Sequence, residues 1–119
     1  MMHTANNDTG HSFGAYFKRA TSPLVVLSLL SERPMYAYEI SSIMDERSHG
    51  SFTISVIYPV LCRLEKQNYI EGAGTEVIDG RARNYYRITD AGEEYLQDCL
   101  TEFDQFADVF RHLTEGRKE

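Results

Sequence analysis

Apolar residues recur along this chain in two rhythms, and the change from one to the other outlines the fold. Phe13, Tyr16 and Phe17 stand at helical spacing after Ser12, which predicts a short amphipathic helix beginning there. Ser22-Pro23 reads as a second start, an N-cap followed by proline at the first helical position. That helix carries Leu24, Leu27 and Leu30 and stops before Pro34, which disfavours helix in the residue ahead of it. A third helix is predicted from about Met35 to Glu46, with Tyr36, Ile40, Ile43 and Met44 on one face and Ser48-His49-Gly50-Ser51 as its breaker. A fourth starts between Thr53 and Ser55, both suitable caps, and runs to about Gln67. Its buried face is Ile54, Ile57, Tyr58, Leu61 and Leu64; the opposite stripe is Ser55, Pro59, Cys62 or Arg63, and Lys66. Pro59 keeps the start close upstream, since deep in a helix it would cost about 3 kcal/mol.

Beyond Tyr69-Ile70 the rhythm becomes extended. Thr75–Ile78, Asp79-Gly80 and Asn84–Ile88 predict two strands around an Asp-Gly turn, with Tyr86 and Ile88 on one side and Tyr85 and Arg87 on the other. Thr89 then caps a long final helix whose first turn holds Asp90, Glu93 and Glu94, where the helix dipole favours acids. The expected fold is mainly α with a small β-hairpin wing: a winged helix-turn-helix plus a long C-terminal helix. Residues 1–11 are expected to be a flexible N-terminus, 12–88 the winged helix-turn-helix domain, and 89–119 the C-terminal helix.

Composition changes this picture little and charge changes it more. The 119 residues are 42% hydrophobic and 25% charged, an ordinary globular composition of single-domain size. The longest apolar run, Leu24 to Leu30 interrupted by Ser28, is far short of the roughly 20 residues that span a membrane. The first twelve residues lack the basic start and apolar stretch of a signal peptide. Cys62 and Cys99 form no CxxC pair, and His3, His11, His49 and His112 have no metal-ligand spacing. A reducing cytoplasm and the absence of a metal or other cofactor are therefore expected. The net charge of −6 argues against a protein that coats nucleic acid. Yet residues 1–88 carry nine bases and nine acids, so the whole acidic surplus lies in the last quarter.

Three constellations carry candidate chemistry. The helix from Ser55 to Lys66 is either a core helix with a solvated face or a recognition helix for a major groove about 12 Å wide. In the second reading Thr53, Ser55 and Arg63 donate to bases or phosphates, and Lys66 meets backbone phosphate. Arg81, Arg83 and Arg87, interleaved with Asn84, Tyr85 and Tyr86, make a basic hairpin suited to phosphates or a minor groove, or else an exposed turn with incidental arginines. Leu96, Leu100, Phe103, Ala107 and Phe110 step by 4, 3, 4 and 3, a heptad seam widened by Tyr95, Cys99, Phe106 and Leu113. A dimer interface is expected there, with Phe13, Tyr16 and Phe17 packed against it; the alternative is packing within one chain. Cys62 is expected to be a buried, inert thiol rather than a redox sensor. No nucleophile, base and oxyanion-hole set can be assembled, so no enzyme is expected.

The segment Leu27–Gly92 resembles the PadR family of winged helix-turn-helix transcriptional regulators. Glu32-Arg33-Pro34-Met35-Tyr36-Ala37-Tyr38-Glu39-Ile40 is similar to that family's entry into the second core helix. Ile57-Tyr58-Pro59-Val60-Leu61-Cys62-Arg63-Leu64-Glu65 is similar to its recognition-helix signature. Gly80-Arg81-Ala82-Arg83-Asn84-Tyr85-Tyr86-Arg87-Ile88-Thr89-Asp90-Ala91-Gly92 is similar to its wing and the start of its dimerisation helix. The chain departs from the pattern at Tyr36-Ala37, Ser55-Val56 and Ala82. The resemblance is to the short subfamily with one C-terminal helix, and it implies a homodimeric regulator, a repressor, on a pseudo-palindromic operator in double-stranded DNA. By position it implies Tyr38, Ser55, Tyr58 and Arg63 on the helix side and Arg81 and Arg83 on the wing as DNA-contacting residues. It further implies a small hydrophobic or phenolic effector, with Phe103, Phe106 and Phe110 as candidate pocket residues beside the interface residues Phe13, Phe17, Leu96 and Leu100. Two other classes stay open: a winged helix used for protein–protein contact, and a small-molecule sensor without DNA binding.

Overall fold

Where the pattern predicts two helices before Pro34, there is one. The computed structural model describes residues 11–116, and the flexible end expected over 1–11 lies, apart from His11, outside them. Helix α1 runs Phe13–Glu32 with Pro23 inside it. Ser12 is its cap, the side-chain oxygen accepting from the Ala15 N–H at 3.1 Å. Ser22 starts nothing; its buried hydroxyl donates to the Lys18 carbonyl, as Thr21 does to Phe17 at 2.7 Å. An interior proline costs about 3 kcal/mol. Val26, Leu27, Leu29 and Leu30, all buried, offset it, because full burial of each is worth about 1.5–3 kcal/mol. The first half gains its own support from Phe17, whose ring meets Phe103 edge-on at 6.2 Å.

Pro34 ends the helix as expected, with Arg33 extended at φ −174°. The following two residues do not join a helix. Met35–Tyr36 form β1, and helix α2 covers Ala37–Arg47. The Tyr36 N–H donates to Glu39 Oε1 at 3.3 Å, an acceptor inside the first turn, and Arg33 pairs with the same carboxylate at 2.9 Å. Helix α3 spans Tyr58–Lys66, followed by β2 at Ile70–Ile78, β3 at Arg81–Ile88 and helix α4 at Asp90–Thr114.

The sheet is antiparallel in the order β1-β3-β2. Asp79 and Gly80, both with positive φ, make the two-residue hairpin turn. The strands extend well beyond the expected Thr75–Ile78 and Asn84–Ile88: Ile70 opposes Ile88, and a bulge between Gly72 and Thr75 resets the register. Leu27, Met35, Ile40, Leu61, Leu64, Ile70 and Leu96 form one core shared by all the helices and strands β1 and β2. Tyr86 and Ile88 pack on it, as the alternation of β3 requires.

Helix α4 is fastened to this body at its first turn. Thr89 accepts from the Gly92 N–H at 3.0 Å and donates to the Asn68 carbonyl at 2.7 Å, while its own N–H reaches the Tyr69 carbonyl at 3.0 Å. Gly92 allows the approach: a Cβ there would lie 2.2 Å from the Tyr69 carbonyl oxygen. One turn later Tyr95 stacks on the Tyr69 ring at 4.3 Å.

Candidate nucleic-acid interface

Pro59 decides where α3 begins. It occupies the second helical position, where its missing N–H is no loss, and Ile57 is the N-cap. Thr53 and Ser55 are therefore not caps; they are exposed in the irregular segment between α2 and α3. A helix begun at either would carry Pro59 into its interior. Ile57, Leu61 and Leu64 are buried against the core, but Tyr58, expected on that apolar face, is 64% exposed. The outward stripe is Tyr58, Pro59, Cys62, Arg63 and Lys66. Cys62 is thus an exposed thiol, not the buried one expected, because it lies opposite Leu64 on a helix of only nine residues.

The wing sorts its three arginines. Arg87 is tied to Glu71 of the neighbouring strand at 2.9 Å. Arg83 lies with its guanidinium carbon 5.3 Å from the centre of the Tyr36 ring, which also meets Tyr85 edge-on at 5.3 Å. Arg81 is exposed beside the turn. Among the described residues, Arg63, Lys66, Arg81 and Arg83 have no carboxylate within ion-pair distance. Two other head arginines, Arg33 and Arg47, are neutralised by Glu39 and Glu32 at 2.9 and 2.7 Å. Glu76, cross-strand from Arg83, accepts instead from the Tyr85 hydroxyl at 3.1 Å. Burial, then that hydrogen bond, pushes the Tyr85 phenol above its ordinary pKa. Tyr38, one residue into α2, is exposed like Tyr58.

The structure brings Tyr58 of α3, Arg83 of the wing and the start of α2 around one small polar cavity, together with Ala82, Asn84, Tyr86, Tyr36 and Ala37. Tyr36 and Asn84 are not among the DNA-contacting residues expected from the sequence, where Tyr36 counts as a core position and Asn84 only as a neighbour of the wing arginines. The Tyr36–Arg83 contact joins positions 47 apart and has no local signal; it follows only from the β1–β3 pairing.

The seam on α4 divides. Leu96 is 4% exposed and belongs to the core of its own chain, which removes it from the expected interface. Leu100 and Phe103 are partly covered by α1, whereas Phe106, Phe110 and Leu113 are 64%, 62% and 79% exposed. Phe13 and Phe17, exposed at the start of α1, lie 6.2 Å apart and continue the apolar surface from Phe103. Between α1, the end of α2 and α4 is an apolar cavity of about 470 Å³ lined by Phe17, Leu24, Val25, Met44, Phe52, Leu100 and Phe103, with Arg47 on one wall. Phe103 is the one expected pocket residue it includes; Phe106 and Phe110, further along α4, do not reach it. Among the described residues no group of His, Cys, Asp and Glu converges as a metal would require, and no helix is long and apolar enough to cross a membrane.

Comparison with known proteins agrees with this geometry. The profile of the transcriptional regulator PadR-like family matches residues 26–98. A solved transcriptional regulator from Clostridium thermocellum is 29% identical with a TM-score of 0.75, over 83% of this chain and 98% of its own. A solved PadR family transcriptional regulator from Eggerthella lenta is 26% identical with a TM-score of 0.76, over 86% of this chain and 88% of its own. An uncharacterized protein of Lysinibacillus sphaericus is 37% identical over 94 residues, 77% of this chain and 86% of that protein.

Proposed function

The chain belongs to the PadR-like family of transcriptional regulators, and from that premise we propose that it is a homodimeric repressor of a pseudo-palindromic operator, released by a small hydrophobic or phenolic effector. The family consists of DNA-binding regulators rather than enzymes. The observation that carries the reading is the set of unneutralised cations on the recognition helix and wing, Arg63, Lys66, Arg81 and Arg83, in a head where Arg33, Arg47 and Arg87 are ion-paired. Cations without internal partners keep their charge for phosphates, the sequence-independent part of DNA affinity. Thr53, Ser55, Tyr38 and Tyr58 add exposed hydroxyls beside them. Leu100, Phe103, Phe106 and Phe110 with Phe13 and Phe17 supply the surface for a second copy, because so much apolar area on one helix is uncommon in a free monomer.

The effector reading rests on the 470 Å³ cavity, within the roughly 300–1,000 Å³ of small-molecule sites. Its walls include Phe17, Leu100 and Phe103 of the apolar surface offered to a second copy, so an apolar ligand there bears on how that copy seats.

Footprinting on the DNA upstream of the chain's own gene, with and without phenolic compounds, tests all three parts. Two protected half-sites about 34 Å apart are expected from dimer symmetry, with protection lost on adding an effector. A chain that protects no DNA and shows no salt-dependent binding would instead be a protein–protein module or a ligand sensor.

A further inference from the structure

The wing has two unlike faces. On one, Glu76 opposes Arg83 and Glu71 opposes Arg87, so carboxylates stand among the cations. On the other, Thr75 opposes Asn84 and Val77 opposes Ala82, and none of these is charged. All of them are exposed, Val77 by 74%. Side chains two apart on a strand share a face, so Ala82 and Asn84 lie on the same side of β3 as Tyr86 and Ile88, which pack on the core. The uncharged face therefore continues the core-facing side of the sheet outwards, past the point where Tyr58 of α3 lines the small cavity with Ala82, Asn84 and Tyr86.

Asn84 has one of its two polar ends engaged. The Thr75 hydroxyl donates across the strands to Asn84 Oδ1 at 3.0 Å. The N–H donors on Nδ2 have no partner among the described residues, so the exposed end of this side chain offers donors and no acceptor. One groove of DNA presents the matching surface. In the minor groove, A·T and T·A pairs show only the acceptors adenine N3 and thymine O2, whereas a G·C pair adds the guanine amino donor. Asn84 Nδ2 finds an acceptor on the first and meets another donor on the second. Val77 and Ala82 bring only methyl groups, and no bulky side chain stands beside them to keep this face out of a groove about 6 Å wide. The opposite face is unsuited to the same place, because it would carry Glu71 and Glu76 in among the phosphates.

We infer that the uncharged wing face reads the minor groove, with Asn84 selecting A·T over G·C pairs and Thr75 as its positioning residue; the assignment rests on the DNA-binding reading above. Sequence is then read at two places in each half-site, by α3 in the major groove and by Asn84 beside it. Arg81, next to the turn, adds charge for phosphates and no choice of base.

The test uses the full chain and a duplex that it selects from a randomised pool. Each A·T pair is replaced in turn by diaminopurine·T, which adds the minor-groove amino group and keeps the major-groove edge of A·T. At the pairs beneath the wing this is expected to weaken binding about tenfold, the scale of one mismatched base pair. Inosine·C, which has the major-groove edge of G·C without the amino group, is expected to bind there as A·T does. Asn84→Ala is expected to abolish the diaminopurine penalty, and Thr75→Val to reduce it, both with unchanged melting because these side chains are exposed. Equal binding with and without the added amino group at every position overturns the minor-groove reading and leaves DNA binding standing. A penalty that persists in Asn84→Ala overturns the role of Asn84, and one unreduced in Thr75→Val overturns that of Thr75. No duplex selected by the unaltered chain overturns the DNA reading and this inference with it.

Discussion

Replacing Phe110 by alanine isolates the contribution of the α4 seam to self-association. Phe110 is 62% exposed in the single chain. A phenylalanine presents about 200 Å², so about 120 Å² remains for a partner to cover. At about 25 cal/mol per Å² that surface is worth about 3 kcal/mol. A two-fold axis uses it twice, about 6 kcal/mol per dimer as an upper bound, since ordering of side chains at the interface subtracts from it. One decade of affinity corresponds to about 1.4 kcal/mol, so the dimer dissociation constant is expected to rise by up to about four orders of magnitude. Sedimentation across a dilution series reads that shift directly. Leu96→Ala is the contrast: it removes a core side chain and is expected to cost about 2–5 kcal/mol of chain stability. At concentrations where the unaltered chain is monomeric, Phe110→Ala should melt with it and Leu96→Ala below it. A dissociation midpoint unmoved by Phe110→Ala refutes the seam.

Three further outcomes follow from the fold. Pro23→Ala restores a backbone donor inside α1 and is expected to raise stability in urea by about 1–3 kcal/mol; a loss of stability would mean that the proline ring is itself needed for packing. Gly92→Ala drives a methyl group into the Tyr69 carbonyl and is expected to lower stability by about 1–3 kcal/mol, with an unchanged melt counting against the tight junction. The Arg47 hydrogen bond holds the Glu32 carboxyl below its ordinary pKa, so its contribution is present at neutral pH and is lost as pH falls through the lowered value. The stability gap between the unaltered chain and Glu32→Gln should therefore close in strong acid, and a gap that persists there contradicts the pairing.

Signals carried by neighbouring residues are legible in the sequence itself. Thr89 as a cap, Asp79-Gly80 as a two-residue turn, and the 4-3-4-3 stepping on the last helix all depend on residues a few positions apart. Pro23 misled because the local rule treats proline as a beginning, whereas the buried face of Val26–Leu30 and the Phe17–Phe103 contact decide the matter from outside. Strand β1 was invisible in principle: two residues pair with positions 85 and 86, and their own spacing also suits a helix. Tyr58 follows the buried Ile57 by one residue, about 100° round the helix, so it flanks the apolar face and turns to solvent although its type suits the core. The regular stripe on α4 could not show that Leu96 enters the core, Phe103 a cavity and Phe110 neither. Periodicity names a face, and the length of the element opposite decides what covers it.

The fastening of α4 to the head has a mechanical meaning. Thr89, Gly92 and Tyr95 lock its first turn to Asn68 and Tyr69, so the helix and head move as one body. With 25 residues rising about 1.5 Å each, α4 is a lever of about 37 Å. Where its far end is gripped by a second copy, a tilt of about 5° swings the reading head by about 3 Å, close to one base step of about 3.4 Å. A displacement too small to disturb packing along the seam would thus put one head out of phase with its half-site while the other stays engaged.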